Sequence, residues 1–109
     1  MSTYKFLVFS NPQSGREDEY NEWYEKRHLP DLLKIPGVVA AQRFRVADDN
    51  GTHAHRYVAI YEIEADNADA VMAEINTRAG TEAMPISDAM DASKIAMTLF
   101  AATAPRQVQ

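Results

Sequence analysis

Trp23, Tyr24 and His28 fall within two helical turns of a chain that holds one Trp, three His and five Tyr in all. Positions three or four apart share a helix face, so Tyr20, Tyr24 and His28 stack in one column. Tyr20, Trp23 and Arg27 form the adjoining column. An imidazole at the end of such an aromatic stripe admits three readings. In the first, the rings are core and His28 caps a helix C-terminus, where a cationic ring gains about 0.3–1 kcal/mol. In the second, the rings supply apolar area and fixed polar tips to a small-molecule pocket. In the third, His28 also moves a proton, because His is the one side chain whose unperturbed pKa lies near neutrality. Asp31, just past Pro30, is placed either to orient the ring or to favour the N-terminus of a short following helix.

Other constellations are thinner. His53 and His55 in "THAHR" share one side of an extended segment and, with Asp48 or Asp49, make a sparse metal-ligand set at a hairpin tip, where polar residues are commonplace. No metal site is expected. Asn11, after the first apolar run, is a candidate substrate-binding amide, with turn capping the stronger alternative. Arg43 and Arg45 project to the same face of a strand, where one can meet a carboxylate or phenolate of a ligand, or pair with Glu62 or another strand acid. The glycines Gly15 and Gly80 are isolated, so no phosphate loop is present, and there is no dinucleotide fingerprint or nucleophile elbow.

The bulk composition narrows the classes further. A chain of 109 residues with 46% hydrophobic and 25% charged residues suits one compact soluble domain. A net charge of −5 without clustered Lys and Arg argues against nucleic acid as a partner. The absence of Cys removes disulfides, thiolate catalysis and Cys-based zinc sites. No apolar run reaches the roughly 20 residues that cross a bilayer, and the N-terminus lacks a basic leader with an apolar run. A cytoplasmic protein with no membrane partner is expected.

The elements that must position these residues follow from local pattern. "YKFLVFS" (Tyr4 to Ser10) reads as a strand apolar on both alternations and stops at the turn cluster "NPQSG". "REDEYNEWYEKRHL" reads as a helix, acidic in its first turn and basic in its last. Pro30 is expected to interrupt it, with "PDLLK" as a short second turn begun by proline. "VVAAQRFRVA" and "HRYVAIYEIE" read as a strand pair joined by the loop "DDNGTHA". "NADAVMAEINTRAG" places Val71, Met72, Ile75 and Ala79 on one helical stripe ending at Gly80. "TEAMPISDAMD" is irregular, and "ASKIAMTLFAAT" supplies a last strand.

The order β-α-β-β-α-β predicts an α+β, ferredoxin-like antiparallel sheet with two helices on one face. Residues 1–104 are expected to form a single domain, with 105–109 as a loose tail. Tyr4, Phe6 and Val8 alternate with Leu7 and Phe9, and Tyr57, Ala59 and Tyr61 with Val58 and Ile60, so both sheet faces are apolar. An apolar face left bare by the helices needs a cover, and a second copy packed face to face is the simplest one.

The run "EYNEWYEKRHLPDLLKIPGVVAAQRF" resembles the EthD-like branch of the dimeric α+β barrel superfamily. The matching positions are Tyr20, the pair Trp23-Tyr24, "HLP" at His28 to Pro30, "IPGV" at Ile35 to Val38 and "QRF" at Gln42 to Phe44, about a third of the chain. The resemblance implies a homodimer whose two sheets form a barrel, with a pocket in each protomer between sheet and helices. It implies that His28 faces that pocket, with Tyr24, Trp23, Tyr20 and Arg43 lining or bracing it and Tyr61 offering a phenol from the sheet. Within that superfamily the implied activities are diverse. The leading expectation is a cofactor-free lyase, isomerase or cyclase acting on an aromatic, polyketide-like or xenobiotic small molecule, with His28 and Tyr24 as catalytic candidates. The alternatives are a non-catalytic small-molecule-binding protein of a catabolic pathway, and a cofactor-free or haem-dependent monooxygenase.

Overall fold

A computed structural model of the chain describes residues 1–48, 50, 51 and 53–109. Asp49, a candidate ligand beside the His53–His55 pair, and Thr52 of the expected hairpin loop lie outside the described residues. The elements run β1 (Ser2–Ser10), α1 (Glu17–Trp23), a π-helical segment (Tyr24–His28), α2 (Leu29–Leu32), β2 (Val38–Arg45), β3 (Tyr57–Ala65), α3 (Ala68–Arg78) and β4 (Ala96–Ala101). The sheet order is β2-β3-β1-β4, and every neighbouring pair is antiparallel. This is the split βαβ arrangement, an α+β ferredoxin-like fold with its helices on one sheet face. No helix among the described residues is long and apolar enough to cross a membrane.

Register decides which side each strand residue takes, because directly paired residues share a face. Phe6 pairs with Tyr61 and Val8 with Ala59, all four buried beneath the helices. Their neighbours Leu7 and Phe9 pair with Ile60 and Val58 on the opposite face. Phe44, opposite Val58, and Phe100, opposite Lys5, extend that second face and are 45% and 52% exposed. One protomer therefore presents an apolar sheet surface to solvent. The core lies on the other side, where Tyr20, Tyr24, Leu29 and Leu32 meet Tyr57, Tyr61 and Ile63, with Val71 and Ile75 of α3 closing it.

The local chemistry of the elements is ordinary except at one place. Glu17, Asp18 and Glu19 occupy the first turn of α1, and Lys26, Arg27 and His28 the far end of the π-helical segment, an order that favours the helix dipole. Asn67 caps α3 by accepting from the Asp69 amide. Gly37, at φ 99°, turns the chain from α2 into β2, and a Cβ there would sit 2.7 Å from Val71 Cγ2. Only glycine fits both the conformation and the space.

Pro30 does not interrupt the helix, contrary to the expectation from its local propensity. The chain is continuously helical from 17 to 32, and the turn before Pro30 widens instead. The Leu29 amide donates to the Tyr24 carbonyl, five residues back rather than four. Proline breaks a regular α-helix because it lacks an N–H and its ring collides with the carbonyl four residues earlier. A single wide turn relieves both problems at once, and π-helix occurs mostly as such single turns inside α-helices.

Candidate functional site

The wide turn determines how the aromatic stripe is arranged. The column Tyr20, Tyr24, His28 is present, with ring centroids 5.2 Å apart for the first pair and 5.3 Å for the second, each edge to face. The second expected column is not. Trp23 stacks on His28, five residues on, at 4.6 Å with planes 27° apart, while Arg27 turns away to donate through Nε to Asp31 at 2.7 Å and through Nη2 to the Glu82 carbonyl at 2.8 Å. The Trp23 indole N–H donates to the Pro85 carbonyl at 3.1 Å, which fixes the plane against which the imidazole rests. His28 is thus wedged between the Trp23 face and the Tyr24 edge.

Asp31 is buried at 3% exposure, yet it makes no hydrogen bond to His28. Its carboxylate takes Arg27 and lies 3.7 Å from Lys34 Nζ. Burial pushes the His28 imidazole down from 6.5 to about 4, and the Asp31 charge only partly opposes this. The ring is neutral at pH 7. Burial also raises the phenols, Tyr24 to about 12 and Tyr61 well above its ordinary value, so both are protonated donors near neutrality.

Tyr24, His28 and Tyr61 line one partly open cavity of about 100 Å³ between sheet and helices, with Phe6 and Met84 among its buried apolar walls and the exposed Ile86 and Met97 at its mouth. His28 Nδ1 and the Tyr61 hydroxyl are both buried with no partner in full hydrogen-bond geometry, although the Tyr24 phenol lies beside Tyr61 and interacts with it. Arg43 Nε, away from the cavity wall, is a third such atom. Native proteins satisfy nearly all such atoms, so two orphans on the walls of one cavity call for an explanation. Larger hollows exist elsewhere. One of about 570 Å³ runs beside Tyr4, Phe100 and Arg106, and one of about 530 Å³ lies beside Glu17, Arg45 and Arg56. Both are open surface grooves without an orphaned buried polar atom, so size alone does not locate the chemistry.

The remaining candidates stand behind this cavity or away from it. Arg43, whose side chain is 7% exposed, donates to Glu25 Oε2 and to Asn21 Oδ1, each at 2.9 Å. Its guanidinium lies over the rings of Tyr24 at 4.3 Å, Tyr57 at 4.9 Å and Tyr20 at 5.2 Å. That cation braces the aromatic layer and does not line the cavity. Its partner is a helix acid, while Glu62 lies on the open sheet face beside Lys5. Tyr20 shares a hydrogen bond with Ser10 at 2.5 Å. Asn11 donates to the Ala54 carbonyl and accepts from the Arg56 amide, tying the end of β1 to the entry of β3. His53 contacts the Asp48 carbonyl and His55 the Phe9 ring, and no three ligands converge among the described residues.

One wall was not anticipated. Met84, Ile86 and Met90 of the irregular segment 81–91, followed by Ile95, face the cavity, and Met84 is 1% exposed. The even spacing of 84, 86 and 90 in an otherwise polar stretch was the available signal. The segment is pinned by the Gln13 amide on the Ala89 carbonyl at 2.6 Å and by the Gly80 amide on the Met84 carbonyl at 2.9 Å.

No family model matches the chain, and no curated protein does. Solved structures do match. A candidate monooxygenase from Shewanella loihica superposes with a TM-score of 0.62 at 15% identity, covering 100% of this chain and 98% of that one. An EthD family protein from Bacillus halodurans gives 0.52 at 14% identity over 91% and 96% of the two chains. The chain shares the ferredoxin-like fold of these proteins. A dimeric ferredoxin-like protein of unknown function from Jannaschia sp. gives 0.59 at 16% identity, covering 90% of this chain and 97% of that one. At these identities the likeness to EthD-type proteins is one of fold.

The depressed imidazole makes a pH prediction. The unfolded chain protonates His28 near 6.5, the folded chain only near 4. Between those values the unfolded state holds more protons, so the contribution of a neutral His28 is present above pH 6.5 and is lost as pH falls toward 4. Denaturant unfolding of the wild type is expected to lose on the order of a few kcal/mol over that window. His28→Gln is expected to flatten this part of the profile.

Proposed function

We propose that this protein binds a small molecule in the cavity walled by Tyr24, His28 and Tyr61 and acts on it by proton transfer, without metal or redox cofactor, as a homodimer. The observation that carries the reading is the pair of orphaned polar atoms, His28 Nδ1 and the Tyr61 hydroxyl, on one apolar cavity. A bound molecule with complementary polar groups would satisfy both. The reaction class this suits is lyase, isomerase or cyclase chemistry on an aromatic, polyketide-like or xenobiotic compound. A neutral imidazole takes a proton from carbon next to a carbonyl, breaking C–H and forming N–H. The Tyr61 phenol donates a hydrogen bond to the carbonyl oxygen as negative charge gathers there. Return of the proton to a different carbon gives an isomer. Tyr24, edge-on to the imidazole, holds the ring, and Trp23 supports its other side.

A second reading has its own support. An imidazole pushed down to about 4 is a weak base in the empty pocket, which favours a binder that only hydrogen-bonds its ligand. His28→Gln separates the two, after ligands are found by thermal shift with phenolic, β-keto and lactone compounds. A binder keeps part of its affinity with glutamine. A proton-transfer catalyst loses roughly 10²–10⁴-fold in rate while fold and affinity persist. Turnover unchanged in both His28→Gln and His28→Ala would remove His28 from the mechanism.

The homodimer rests on the apolar sheet face formed by Leu7, Phe9, Phe44, Val58, Ile60 and Phe100. Sedimentation is expected to report twice the chain mass, and Phe9→Asp to shift it toward one chain mass with helical circular dichroism kept. Tyr57→Asp puts a carboxylate on the helix side, against Tyr20 and the Glu17 carboxylate, and is expected to abolish cooperative unfolding.

A further inference from the structure

We propose that the cavity selects uncharged, ring-sized polar molecules and rejects the matching carboxylates. The inference rests on the reading of the cavity as the ligand site and adds the charge and size of what enters it. Three observations carry it. Among the described residues, no Lys, Arg, Asp or Glu lines the cavity, and Asn76 on its exposed rim is the one lining side chain with a polar group besides Tyr24, His28 and Tyr61. The nearest cations are committed elsewhere. Arg43 is bound through its two Nη atoms to Glu25 and Asn21 and lies over the Tyr24 ring, with Nε buried and unpartnered, and Arg27 is bound to Asp31 and the Glu82 carbonyl. Neither lines the cavity.

The one charge that bears on His28 is negative. Asp31 is buried at 3% exposure and its field reaches the imidazole. A carboxylate placed here would lose its hydration and meet no cation on the cavity wall. A neutral molecule escapes both costs. It would still gain by pairing with the orphaned Tyr61 hydroxyl and His28 Nδ1, which a purely apolar molecule cannot do. The volume of about 100 Å³ sets the scale. An apolar cavity of roughly 150 Å³ accommodates benzene, so a single six-membered ring already fills this site and extends into its mouth beside Ile86 and Met97.

Two size-matched pairs of probes test this, phenol with toluene and benzamide with benzoate, each titrated into the full chain at pH 7. Binding is read by NMR shifts of the His28 ring and of the Tyr61 ring. Phenol and benzamide are expected to bind, with toluene weaker than phenol and benzoate weaker than benzamide, each by roughly tenfold or more. Tyr61→Phe is expected to keep the fold and narrow the gap between phenol and toluene. Benzoate binding as tightly as benzamide would overturn the charge selection while leaving the pocket in place. Toluene binding as tightly as phenol would overturn the role of the orphaned pair. If no probe moves the His28 or Tyr61 signals at millimolar concentration, the cavity is not a ligand site, and both this inference and the reading beneath it fail.

Discussion

The arrangement depends on one backbone hydrogen bond, from the Leu29 amide to the Tyr24 carbonyl. It inserts one extra residue into the turn that ends at His28. Without it, Pro30 would face the Lys26 carbonyl with no N–H to offer and the helix would kink or stop. With it, the helix continues into α2, so Leu29, Asp31 and Leu32 all reach the interior. The same extra residue moves His28 around the helix to stack on Trp23, and it frees Arg27 to hold Asp31. Backbone geometry thus selects the imidazole that lies against the cavity.

Around that turn the protein separates charge from chemistry. Its most buried cation, Arg43, is placed among three phenol rings and fixed by Glu25 and Asn21. Its most buried carboxylate, Asp31, is held by Arg27 at the helix surface. What remains facing the cavity is neutral: protonated phenols, a desolvated imidazole and methionines. Such a site can offer hydrogen bonds but no counter-ion on its wall. Low dielectric strengthens those hydrogen bonds when they are made and penalises them when they are not. The surroundings therefore favour occupancy by a polar, uncharged partner.

Much of this was legible in the chain itself. The strands from Tyr4 and from Val38, and the α3 stripe at Val71 and Ile75, follow from period and turn residues, so element order and fold class could be read directly. The contact of Tyr24 with His28 followed from helical spacing. The local preference of Pro30 is to end a helix, and only the packed helix rewards a wide turn over a break. The Trp23–His28 stack escapes helical spacing for the same reason, since i,i+5 contacts do not occur in a regular α-helix. The Met84 and Met90 wall carries no element signal and is positioned by long-range bonds to Gln13 and Asn11, which no local pattern encodes.

The most direct test is a through-hydrogen-bond scalar coupling measured by NMR on isotope-labelled protein. The Leu29 amide nitrogen is expected to correlate with the carbonyl carbon of Tyr24. A correlation to the Glu25 carbonyl would mean a regular α-turn. The Trp23–His28 stack and the cavity-facing imidazole would then lose the geometry that produces them.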